Sequence, residues 1–114
     1  MKLKLVSFLP FLILLTACAS MGLVTPQSFD ERLSVAYEQH TAALQSIATA
    51  VNLKDLSGKD GQAVLAIADN ARLLLDSARI ATSSGDTSTA EGRLVLATNV
   101  LREVSAFLRQ RGVK

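Results

Sequence analysis

The sequence predicts an all-α fold, an antiparallel up-down-up three-helix bundle that follows a short N-terminal leader. Three observations predict it. Apolar residues recur at alternating spacings of four and three along three separate stretches, the period that places them on one face of a helix. Two breakers, Asn52 to Gly58 and Ser83 to Asp86, divide these stretches, and connections this short make successive helices antiparallel neighbours. Alanine is abundant, β-branched runs are absent and no segment alternates with period two, which disfavours strands. The expected body covers residues 27–112, with helices over about 26–52, 58–83 and 87–111, each roughly 35–40 Å long.

The leader comes first in the chain. Lys2 and Lys4 precede an apolar stretch from Leu5 to Leu15, interrupted by Ser7 and Pro10. About eleven helical residues span only roughly 16 Å. A bilayer core needs about twenty apolar residues, so the pattern is that of a signal peptide rather than a membrane span. It ends on Leu15-Thr16-Ala17-Cys18, which resembles the lipobox of bacterial lipoprotein signal peptides. The resemblance implies that residues 1–17 are removed by cleavage between Ala17 and Cys18. It also implies that the Cys18 thiol carries diacylglycerol and the new amino terminus a further acyl chain.

Ala17-Cys18-Ala19 also supplies the small residues of an ordinary secretory cleavage site, which would leave an unmodified thiol. The lipobox is the better reading, because cysteine occurs once in the chain, at the one position where lipidation needs it. A lone cysteine has no intramolecular disulfide partner, so packing alone must hold the fold. Two or more acyl chains anchor firmly where one is marginal. Ala19, not Asp, follows the cysteine. By the same resemblance this points to the periplasmic side of the cell outer membrane, with an inner or single plasma membrane as the alternative. Residues 18–26 then form the lipidated cysteine and a short tether, with Ser20, Gly22 and Pro26 and no amphipathic repeat.

In the first helix Phe29, Leu33, Ala36, His40, Leu44, Ile47 and Val51 make the apolar stripe. Thr25 before Pro26 is one start, with proline in the first turn. Ser28 with Glu31 is a second, a capping box ahead of the repeat. Tyr37 flanks the stripe, its ring at the edge and its hydroxyl in water. Ser57, with Asp60 three residues on, caps the second helix, whose stripe is Val64, Ile67, Ala71, Leu74, Ala78 and Ala81. Asp69, Arg72, Asp76 and Arg79 alternate in sign on the opposing, solvated side. Gly85 suits the left-handed residue that closes a helix.

Asp86, or Ser88 with Glu91, opens the third helix. Its stripe is Ala90, Leu94, Ala97, Leu101, Val104 and Leu108, widened by Leu96, Val100 and Phe107. Arg109, Arg111 and Lys114 complement the helix dipole at its end, and Gly112 is the stop. So many stripe positions are alanine that, at about 25 cal/mol per Å² of apolar area buried, the core is thin. Leu65, Leu75, Leu96 and Val100 are left over, as a wider core or as a face for self-association.

Chemistry is sparse. His40 is the only histidine, and a metal site needs further nitrogen or sulfur ligands, so a structural histidine is expected. No Gly-x-Ser-x-Gly elbow is present, and no acid–His–Ser set can be assembled. Gly58-Lys59-Asp60-Gly61 lacks the length and ending of a phosphate loop and reads as a helix-opening turn. No catalytic residue, metal or cofactor is expected beyond the lipid on Cys18, and the chain reads as a non-enzyme. Lys2 and Lys4 account for the excess of 12 basic over 10 acidic residues. The mature chain is thus near neutral, which removes the broad electrostatic case for nucleic acid. Arg102, Arg109, Arg111 and Lys114 offer either contacts to lipid phosphates or simple dipole complementation.

Three further stretches, 25–33 (Thr25-Pro26-Gln27-Ser28-Phe29-Asp30-Glu31-Arg32-Leu33), Ala68-Asp69-Asn70-Ala71-Arg72 and Ala90-Glu91-Gly92-Arg93-Leu94, are similar to those of small uncharacterised helical lipoproteins of proteobacteria and their prophages. That resemblance implies fold and location and brings no mechanism. The expectation is a membrane-anchored, non-catalytic interaction or structural protein of the cell envelope. Its partners would be the membrane, through the lipid, and another envelope protein or a second copy. The alternative is a small-ligand or lipid carrier that opens a slot between its helices.

Overall fold

The computed structural model describes residues 28–113. They form three α-helices, α1 (Phe29–Asn52), α2 (Gly58–Ser83) and α3 (Thr87–Gln110), and every pair of helices packs together. No strand occurs among the described residues. The all-α three-helix bundle is therefore the fold, and α3 follows the predicted stripe at every position: Ala90, Leu94, Ala97, Leu101, Val104 and Leu108 are all buried.

Local chemistry sets the helix ends. Each first turn is capped by the side chain that precedes it: Ser28 Oγ accepts from the Glu31 amide at 3.2 Å, Ser57 Oγ from Asp60 at 3.0 Å and Asp86 Oδ1 from Thr89 at 3.1 Å. Such a cap satisfies one amide that has no partner inside the helix. Of the two starts predicted for α1, Ser28 is the cap; Thr25 and Pro26 lie outside the described residues. Asp86 rather than Ser88 opens α3.

All three helices close with the same paired hydrogen bonds. Asp55, Asp86 and Val113 donate their amides to Ala50, Ala81 and Leu108, and Lys54, Gly85 and Gly112 donate theirs to Val51, Thr82 and Arg109. The residue at the bend has positive φ in each case, 80° at Gly85 and 78° at Gly112, but at the end of α1 it is Lys54 with φ 62°. Glycine adopts that conformation freely and lysine does not, which is why the sequence pattern marked the second and third ends more clearly than the first.

The core falls into two clusters. One, towards the α1–α2 turn, contains Ile47, Ala50, Leu56, Val64, Ala68, Val104 and Leu108. The other, towards the α2–α3 turn, contains Leu33, Ala36, Leu75, Ala78, Leu94 and Ala97. Two corrections to the predicted faces follow. On α2, Val64, Ala71, Ala78 and Ala81 are buried as predicted, but Ala68 and Leu75 are fully buried where Ile67 and Leu74 were expected, and those two are only half-buried. On α1, Ala50 replaces Val51 and Leu44 is half-buried. The reason is tertiary placement: Ala68 and Leu75 lie inside clusters built from all three helices, whereas Ile67 and Leu74 pack against the edges of those clusters. Leu75 thus belongs to the core, Val100 is half-buried, and Leu65 and Leu96 remain exposed. Leu56, in the α1–α2 turn, is only 2% exposed and closes the end of the core.

Candidate functional site

Ala17 and Cys18, the cleavage and lipidation residues of the sequence reading, lie outside the described residues, and so does Lys114. Among the described residues, His40 was the main chemical candidate. It is 3% exposed, and its Nε2 lies 3.1 Å from the carbonyl oxygen of Ala68. A carbonyl can only accept, so Nε2 carries the proton. The ring sits at the level where the two core clusters meet and ties α1 to α2. No group of three or more His, Cys, Asp or Glu able to hold a metal occurs among the described residues. No buried side-chain nitrogen or oxygen there lacks a hydrogen-bond partner.

Two of the basic residues near the end of α3 have partners within the bundle. Arg111 turns back to α2, donating from Nε to Asp60 Oδ2 at 3.1 Å, with its guanidinium 4.4 Å from the centre of the Phe107 ring. Arg102 reaches Asn99 Oδ1 at 3.3 Å. Gly58-Lys59-Asp60-Gly61 opens α2, as expected of a helix start. Its second glycine has a packing role, since a Cβ at Gly61 would lie 2.6 Å from Val51 Cγ2.

Polar ties fasten α1 to the α2–α3 hairpin at places that sequence spacing does not reveal. Arg32, in the first turn of α1, donates from Nη1 and Nη2 to the two carboxylate oxygens of Glu91, at 2.9 and 2.5 Å. The hydrogen bond and charge of Arg32 hold the Glu91 carboxyl below its usual range. The Tyr37 hydroxyl, expected in water, donates to Asp76 Oδ1 at 2.5 Å. Arg72 donates to the same oxygen at 3.2 Å and lies 5.5 Å from the Tyr37 ring centre. That hydroxyl, with help from Arg72, holds the Asp76 carboxyl low against the opposing effect of burial. Burial, then the bond to Asp76, raises the Tyr37 phenol. Asp69–Arg72–Asp76–Arg79 is therefore a partly solvated face whose third member also bonds α1.

A recess runs along the outer groove between α1 and α3, the least extensively packed pair. Adjoining hollows of 270 and 460 Å³ lie along it. The apolar floor is formed by Leu94, Leu101, Val104 and Leu108. On the α1 side the wall is Val35, Gln39, Ala42 and Ser46, and on the α3 side Val95, Thr98, Arg102 and Ser105. Sequence reasoning missed this surface. A signal was present: Val35, Gln39, Ala42, Ser46, Thr49 and Leu53 repeat at four-three spacing beside the core stripe, without one charge. It is weak because only two of the six are large and apolar.

Such a groove can bind by shape and apolar contact; its hydroxyls, Ser46, Thr98 and Ser105, have no histidine or carboxylate beside them in the lining. The hollows are on the surface; the interior is filled by Val64, Ala68, Ala71, Leu75 and Ala97, all 0% exposed. No helix among the described residues is long and apolar enough to cross a membrane. In comparisons with known proteins, no family model, no curated protein and no solved structure matches the chain.

Proposed function

We propose that this protein is a lipid-anchored component of the cell envelope, held through Cys18 at the periplasmic face of the outer membrane and acting by non-catalytic contact with other proteins. The observation that carries the reading is the lone cysteine at the end of Leu15-Thr16-Ala17-Cys18, behind a basic start and a short apolar run. A body with no membrane-crossing helix among its described residues is the kind of cargo a lipid anchor serves, and an open groove on its side is the kind of surface an interaction protein offers. A carrier of small apolar ligands would need a slot between the helices, where the alanine-rich interior leaves little room.

The test is Cys18→Ser in cells fed radiolabelled palmitate. Expected is loss of label and movement of the protein from the membrane to the soluble fraction. Unchanged label and unchanged fractionation would overturn the proposal.

A further inference from the structure

The α1–α3 groove runs beside helices of 24 residues, about 36 Å, so its natural occupant is a rod of helix. We infer that the occupant is α1 of a second copy, lying antiparallel to the first about a two-fold axis. This deepens the interaction reading and needs no lipid.

Charge selects the partner. On the α3 rim, Arg102 and Arg109 are seven residues apart, and among the described residues neither has a carboxylate partner. On the outer edge of α1, Glu31 and Glu38 are also seven apart, and neither has a cation partner there; Glu31 accepts only from Ser28. Each pair is therefore spaced by about 10.5 Å along its helix. A second copy brings the two complementary sets together, with Glu38 opposite Arg102 and Glu31 opposite Arg109, and symmetry repeats both contacts.

The register agrees with a two-fold. Arg32 and Glu91 meet and so fix the relative level of α1 and α3. Measured from there, Arg102 lies about 16 Å and Arg109 about 27 Å along the bundle, with Glu38 at about 9 Å and Glu31 just behind the origin. Pairing Glu38 with Arg102 in the antiparallel sense puts the axis level with residues 40–41, and pairing Glu31 with Arg109 puts it at the same place. That is also the midpoint of Phe29–Asn52, so the two α1 helices overlap over their whole length. A parallel partner would need Glu31 opposite Arg102, a slide of about 18 Å that leaves half the groove uncovered. Around the axis Gln39 faces Ala42 of the partner subunit, a long side chain opposite a short one, which lets the two helices interlock.

Single cysteines along one stripe read out this arrangement. Val35→Cys, Ala42→Cys and Thr49→Cys are introduced separately into the full-length chain and oxidised in cells, in the native and the Cys18→Ser background. Residue 42 lies about 4.5 Å along the helix from its own symmetry mate, whereas 35 and 49 lie about 16 and 25 Å from theirs. Expected is a covalent dimer from Ala42→Cys alone, and one from Val35→Cys only when co-expressed with Ser46→Cys. Arg102→Glu should cut the Ala42→Cys dimer about tenfold and Glu38→Arg should restore it in the double variant, with far-UV circular dichroism showing that each variant is folded. Links at all three positions (a parallel pair), links only to a different protein, no link at any position, or no response to charge reversal each overturn the inference. Loss of palmitate dependence with the dimer retained would strike the anchor alone.

Discussion

The two flanks of α3 are built differently. Towards α2, Leu94 and Ala97 pack with Leu75 and Ala78 in the most extensive helix contact of the molecule. Towards α1, Thr98 and Ser105 stand across a groove from Gln39, Ala42 and Ser46. Small residues occur on both flanks, so size alone does not draw helices together. What differs is the neighbours. On the α2 flank large apolar groups fill the space between the alanines, so that close approach buries apolar area. On the α1 flank the small positions alternate with hydroxyl and amide groups that prefer water. The first helix is then secured by larger side chains and polar ties instead: Arg32 to Glu91, Tyr37 to Asp76 and His40 to Ala68.

The largest effect should come from forcing volume into each flank. Ala78→Leu overfills a site that is 0% exposed and should cost about 1–3 kcal/mol in urea unfolding. Ala42→Leu, exposed on the groove, should change the stability of the single chain by no more than about 0.5 kcal/mol. Equal costs would dissolve the contrast between the flanks.

Acid separates the two modes of attachment at a smaller scale. Asp76 and Glu91 are both held below their usual range by their partners across to α1. A carboxyl lowered on folding stabilises the fold above its unfolded value, about 3.9 for Asp and 4.3 for Glu. That stability fades as pH falls through the lower folded value. The thermal midpoint should therefore drop as pH falls below about 4, and Asp76→Asn with Glu91→Gln should flatten the drop. A slope left intact would mean that other carboxylates carry it.

The smallest effect is a control that touches neither flank. Lys54 holds φ 62° in the α1–α2 turn, so Lys54→Gly relieves strain there, partly offset by the extra freedom of an unfolded glycine. A gain of about 0.5 kcal/mol, or roughly 2–4 °C in Tm, is expected from differential scanning calorimetry. A loss would mean that the lysine side chain contributes more than the strain costs.

Much of this fold was legible in the chain. The α3 stripe, the cap at Ser57 and the break at Gly85 follow from spacing and local chemistry, which left Ser28 beside Thr25 and Asp86 beside Ser88 for the other two caps. Two positions on α2 were misread, because a step of three or four from Val64 and Ala71 reaches Ile67 or Ala68 and Leu74 or Leu75 alike, and only packing against both other helices selects Ala68 and Leu75. The cross-helix ties were not legible: Arg32 and Glu91 are 59 residues apart, and no local rule couples them. For the groove the balance reverses. Its uncharged α1 wall is written in the sequence, but only the placement of α3 beside it turns that stripe into a surface. Cys18 stands apart, legible only as a motif.

His40 has one more consequence. Alanine-rich stripes present a smooth surface, so apolar contact alone resists a small slide of one helix along another only weakly. The imidazole N–H is satisfied by one carbonyl, that of Ala68, and a slipped α1 would bury that donor without an acceptor, at about 1–3 kcal/mol. A single buried polar group of this kind is the means by which coiled coils choose one alignment among several. In this bundle the lone histidine works as a detent, holding α1 at one level against α2.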